Sequence, residues 1–130
     1  MIIYEGAFFN SEDLKKALGV EEFELAREIK NPHVTFVFRP EKPASHLYGE
    51  KVRFKVIGYA CDGKNEGVAV KLISSSKEIE ELYENIAVPH ITLSVSKDGK
   101  PVDTGRLTFH PYEGPEIEGT FLPFTGEKGA

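Results

Sequence analysis

Two stretches decide the fold: Pro32-His33-Val34-Thr35-Phe36-Val37-Phe38 and Pro89-His90-Ile91-Thr92-Leu93-Ser94-Val95. Laid over one another they share Pro, His and Thr, and the Val/Ile, Phe/Leu and Phe/Val positions are apolar matches. The histidines stand 57 positions apart (90 − 33). β-Branched and aromatic residues dominate both stretches, which predicts strands, and a proline is tolerated at a strand's first position. Residues i and i+2 of a strand share a face. His33 therefore stands beside Thr35 and His90 beside Thr92, while Val34, Phe36, Ile91 and Leu93 turn to a core. Two such strands side by side would gather two imidazoles and two hydroxyls around one small space.

Working outward, Ile2 to Phe9 reads as a first strand. Asn10-Ser11-Glu12-Asp13 offers an N-cap for a short helix, Leu14 to Leu18, which Gly19 stops. Glu21 to Lys30 reads as an irregular lead-in ended by Asn31-Pro32. Lys51 to Ile57 alternates basic and apolar residues as a half-buried strand does. Asp62 to Gly67 is a turn, and Val68 to Ile73 returns as the second arm of a hairpin. Ser75 with Glu78 forms a capping-box pattern for a helix running to about Asn85. Asp98-Gly99 is a turn signal, Leu107 to Phe109 suggests a short strand, and Ile117 to Phe124 a last one. The tail Gly126 to Ala130 is expected to fray. Two short helices among seven or so strands predict a single α+β domain, residues 1–130, with antiparallel pairing.

The composition narrows the function. With 130 residues, 40% hydrophobic and 28% charged, the chain suits one soluble globular domain. It contains no apolar run of membrane-spanning length, so no membrane partner is expected. The single Cys61 has no partner for an internal disulfide, and the expected location is the cytoplasm. A net charge of −5 disfavours tracking along a long nucleic acid, which needs many Lys and Arg contacts. A small phosphorylated partner, such as a nucleotide or a short RNA end, remains compatible.

Paired imidazoles and hydroxyls suit attack on a phosphodiester. One neutral imidazole accepts the proton of an attacking water, and a protonated one donates to the leaving oxygen. Histidine titrates near neutrality, so both forms coexist there. Thr hydroxyls can hold the non-bridging oxygens as charge builds on them. In this respect the two stretches resemble the His-x-Thr/Ser signatures of the two-histidine (2H) phosphoesterase superfamily. That resemblance implies bilobal antiparallel sheets with helices outside, related by a pseudo-twofold axis, and both motifs lining a central cleft. It also implies a metal-independent cyclic phosphodiesterase, a hydrolase of RNA processing, acting on 2′,3′-cyclic or 2′-linked phosphodiesters without a cofactor. His33 and His90 would be the acid–base pair, and Thr35 and Thr92 the phosphate ligands. The chain is short for that family, and its motifs lie closer together than is usual there.

Other readings compete. The four histidines, His33, His46, His90 and His110, lack the short spacing of familiar zinc motifs, and no cysteine cluster supports them, so no metal is expected. The stripe Lys51, Arg53, Lys55 reads first as a solvated strand face. Arg39, four residues after Thr35, shares its face by parity and is a candidate substrate-binding residue. Tyr4 and Tyr59 read first as core or rim packing and are second candidates to stack on a base. A nucleotide or RNA-end binding module using the same cleft without turnover is the alternative to an enzyme.

Overall fold

Asn10 and Gly19 bracket the first helix as their chemistry dictates. The Asn10 side chain accepts from the Asp13 backbone N–H at 3.0 Å, and Gly19 ends the helix in the left-handed region at φ 72°. In this computed structural model, which describes residues 1–125, the elements run β1 (Ile2–Phe8), α1 (Ser11–Leu18), β2 (Arg27–Glu28), β3 (His33–Phe38), β4 (Lys51–Cys61), β5 (Asn65–Ser74), α2 (Lys77–Tyr83), β6 (His90–Val95), β7 (His110–Pro111) and β8 (Glu116–Thr125). Short 3-10 turns cover Ser45–Leu47 and Pro101–Arg106. The expectation for Gly126 to Ala130 lies outside the described residues.

The α+β prediction holds: the strands form one eight-stranded sheet in which every pairing is antiparallel. Several details differ from the sequence reading. The hairpin arms β4 and β5 are longer than expected, because Asp62 accepts from the Lys64 and Asn65 N–H groups and Gly63, at φ 87°, closes a tight turn. Ser76 rather than Ser75 caps α2, accepting from Ile79 N–H. Leu107–Phe109 is not a strand; the ladder forms one step later, at His110–Pro111, against Gly58 and Tyr59. The lead-in supplies the two-residue strand β2, held by Val95 and Ser94.

The strand order is β2-β6-β5-β4-β8-β1-β3. Leaving β2 aside, it reads as two halves of one plan meeting at the β4–β8 ladder. Each half runs from a long inner strand (β4 or β8) through β5 or β1 to a His-x-Thr strand (β6 or β3). Each also places its helix between the last two. The outermost strands β3 and β6 approach one another closely without pairing, so the sheet curls almost to closure around one core and leaves a seam there. Val34, Phe36, Ile91 and Leu93 fill that core with Phe54 and Phe121, as the strand parity predicted. Phe36 lies edge-on to Phe121, with ring centroids 5.6 Å apart.

Candidate active site

The two halves repeat more than the His-x-Thr motif. Glu5-Gly6 in β1 and Glu66-Gly67 in β5 occupy equivalent places, because Gly6 is opposite Thr35 and Gly67 opposite Thr92. In both ladders the register then slips by one residue: Glu5 is opposite Val37, and Glu66 opposite Ser94. Phe36 and Leu93 are the extra residues, each forming a bulge directly after the threonine. A Cβ on Gly6 would lie 2.2 Å from the Val34 carbonyl oxygen, and one on Gly67 2.9 Å from that of Ile91. Glycine is thus the residue that lets the strand close against the middle of each His-x-Thr. The neighbouring carboxylates are buried beneath. Glu5 accepts from Tyr48 and from the Ala44 N–H, and Glu66 accepts from Tyr59, Ser94 and the Glu24 N–H. Sequence reading missed this second echo, because Glu-Gly occurs four times in the chain and only the ladder register picks out these two.

Both histidines are fastened in one way. His33 Nδ1 lies 2.9 Å from the Asn31 carbonyl oxygen, and His90 Nδ1 lies 2.7 Å from that of Val88. A carbonyl only accepts, so each Nδ1 carries the proton and the neutral ring keeps its lone pair on Nε2. No hydrogen bond occupies either Nε2 among the described residues. His33 is packed between Tyr4, at 4.5 Å between ring centroids, and Phe8, at 5.1 Å. That burial pulls its pKa below the usual 6.5; the bond to Asn31 opposes the shift, and the nearby charge of His90 adds to it. The two imidazoles therefore share one electrostatic neighbourhood at the seam.

Around His90 the segment Pro101–Arg106 stands where His33 has Tyr4 and Phe8, and a single ring, Phe109, lies farther off at 6.4 Å between centroids. A Cβ on Gly105 would stand 3.1 Å from His90 Cε1 and 3.8 Å from Nε2, so glycine keeps that edge of the ring open. Thr92 Oγ1 donates to the Pro101 carbonyl over a long 3.3 Å, whereas the Thr35 hydroxyl makes no side-chain hydrogen bond among the described residues. Arg106, next to Gly105, is exposed and 3.8 Å from Asp103. This glycine and arginine were not singled out from the sequence, because a 3-10 segment carries no periodicity to mark it.

The other expected residues divide. Tyr4 lies against His33; its hydroxyl is 3.4 Å from His33 Nδ1, and burial pushes its pKa up to about 12, so it stays protonated. Tyr59 does not. It pairs with Val68, which pairs with Ile91, so it occupies the core face, and its hydroxyl donates to Glu66 at 2.6 Å. The parity argument for Arg39 fails because the bulge at Phe36 reverses the alternation. Phe38, opposite Tyr4, now shares the face of His33, and Arg39 follows the strand's end at φ 49° with its guanidinium 5.3 Å above the Phe38 ring. Lys51, Arg53 and Lys55 bond to Thr120, Glu116 and the Gly114 carbonyl, as a structural strand face would, with β5 between them and β6.

A recess of about 470 Å³ lies away from His33 and His90, lined by Phe23, Tyr59, Glu66, Leu93, His110 and Tyr112. Both oxygens of its Glu66 are already bonded, and it holds one imidazole, His110, where the seam brings two together. Among the described residues no three His, Cys, Asp or Glu side chains group as a metal site. No helix of the described residues is long and apolar enough to cross a membrane. No family model and no curated protein matches the chain.

Proposed function

We propose that the chain is a phosphoesterase of the two-histidine kind. It would act without a metal on a 2′,3′-cyclic or 2′-linked phosphodiester of a nucleotide or a short RNA end. The observation that carries this reading is the matched pair of imidazoles. Each is tied through Nδ1 to the carbonyl two residues upstream, each has Nε2 unoccupied, and each stands beside a threonine where β3 and β6 meet. The half-and-half strand order agrees with the pseudo-twofold plan of that superfamily.

The chemistry follows from the two environments. Burial between Tyr4 and Phe8 keeps His33 neutral, which makes it the general base. Its Nε2 takes a proton from water as the water oxygen bonds to phosphorus. The bond from phosphorus to the 2′ or 3′ oxygen breaks, and that oxygen takes the proton held on His90 Nε2. Thr35 donates to a non-bridging oxygen, and Thr92 joins it by releasing its weak bond to Pro101.

The test is a panel of 2′,3′-cyclic nucleotides, 2′,5′-linked oligoadenylates and cyclic-phosphate RNA ends, assayed with EDTA present. Turnover of at least one is expected. Turnover that returns only with added zinc or manganese would replace acid–base catalysis with metal chemistry. Nucleotide binding without turnover would make the chain a recognition module.

A further inference from the structure

The face that carries His33 also carries a row of aromatic rings. Tyr4 is opposite Phe38 on one side and Phe124 on the other, so the three occupy one rung across β3, β1 and β8. Directly opposed residues of an antiparallel ladder share a face. Phe38 is 64% exposed and Phe124 39%, unusually high for phenylalanine. The rings are ordered. Tyr4 and Phe124 stack at 4.9 Å with planes 13° apart, and Tyr4 also stacks on the His33 imidazole. Arg39 adds a planar cation over Phe38. The equivalent rung of the other half has Asn65 in place of Tyr4 and Val95 in place of Phe38, with no Phe, Tyr or Trp on either strand.

We infer that the rung Phe38–Tyr4–Phe124, with Arg39 at its edge, is the seat of a nucleobase. The base would belong to the same nucleotide whose phosphate lies between His33 and His90, so the inference rests on the proposed function for its phosphate and adds the base. Continuity supports this occupant, since Tyr4 touches both the rung and the imidazole and so joins a stacking surface to a phosphate-handling one. Size supports it too. A stable protein partner covers about 800 Å² on each side. Three partly exposed rings, each burying at most ~150–250 Å², fall short of that and suit one planar ligand. Stacking is tolerant of base identity, so the seat selects nucleotides as a class.

The experiment measures, by calorimetry, the affinities of the full chain for adenosine 2′-monophosphate and for glycerol 2-phosphate, which has no base. The chain should prefer the nucleotide, and Phe38→Ala should cut that preference ~10- to 100-fold, the scale of one lost base–aromatic stack. Phe124→Ala should do the same, and Phe38→Tyr should keep the preference because the ring remains. Circular dichroism confirms folding, and Phe38 is exposed enough for removal to leave the core intact. Equal affinity for the two probes in the parent chain overturns the inference, as does a preference unchanged in both alanine variants. A base-dependent preference in a chain that turns over no member of the substrate panel sinks the catalytic reading and leaves this one standing.

Discussion

The half built on β1 and β3 and the half built on β5 and β6 share a backbone device but differ in what surrounds it. In both, the glycine of a Glu-Gly pair opposes the threonine, a bulge follows, and an imidazole is tied to the carbonyl two residues before it. Around His33 stand Tyr4 and Phe8; around His90 stand Gly105 and the open 3-10 segment. The repeated part is what two proton carriers require, namely a fixed tautomer and a hydroxyl neighbour. The differing part is the enclosure: His33 is packed against two rings at 4.5 and 5.1 Å, whereas His90 has Gly105 beside it and one ring, Phe109, at 6.4 Å. In the proposed mechanism symmetry would supply the pair, and its decoration the direction of proton flow.

The largest effect should come from removing either imidazole. His33→Ala and His90→Ala should each lower kcat by ~10²–10⁴ on the substrate found in the panel. The double variant should be little worse than the worse single, because the two act as one unit. Near-normal turnover by a folded single variant would break the comparison at its base.

Next come the threonines, where the halves should differ. Thr35, with an unoccupied hydroxyl, should cost ~10²–10³ in kcat as alanine. Thr92→Ala should cost less, because its hydroxyl must first leave Pro101. The reverse order, read from single-turnover rates, would show Thr92 to be the better-placed donor.

The glycines test the shared device through stability. Gly6→Ala drives a Cβ to 2.2 Å from a backbone oxygen and should destabilise by about 3 kcal/mol, near the upper end for overpacking. Gly67→Ala meets its nearest backbone atom at 2.9 Å and a movable Thr104 methyl at 2.5 Å, and should cost about 1–2 kcal/mol. Urea unfolding of the two variants measures both. Equal losses would mean that the two strands close differently from the geometry described.

The smallest effect is in pH. His33 has a lowered pKa in the folded chain, so its neutral form adds no penalty above about 6.5. Below that value the unfolded chain takes the proton first, and His33's contribution to stability falls as pH drops toward the folded value. The acid limb of kcat/KM should likewise lie below 6.5, and Tyr4→Leu should move it by reshaping the ring's enclosure. An acid limb above 6.5 would remove the buried His33 as the base.

Much of this was legible in two heptapeptides. Their alternation put Val34, Phe36, Ile91 and Leu93 in the core, and their pairing marked both histidines and threonines. Parity failed one residue later, at the bulges, because an extra residue in a ladder leaves no trace in hydrophobic alternation. That is why Arg39 was placed on the wrong face and Phe38 was overlooked. Tyr59 packs against the core, the first of its two readings, but its partner Glu66 is a buried carboxylate that composition alone reads as surface. The setting of His90 was hidden for a different reason. Gly105 acts by the space it leaves beside the ring, and that space exists only once the chain has folded.

The seam has a consequence for assembly. An open sheet ends in two strands whose outward peptide groups lack partners, and such edges invite another chain to add a strand. Here β3 and β6 are drawn together by the curl of the sheet, and β2 pairs with the far end of β6. Each edge thereby shields the other from strand addition by a second copy. The place where the histidines meet is thus also where the fold guards against aggregation, so a change that pries the seam apart would expose sticky backbone along with the disabled site.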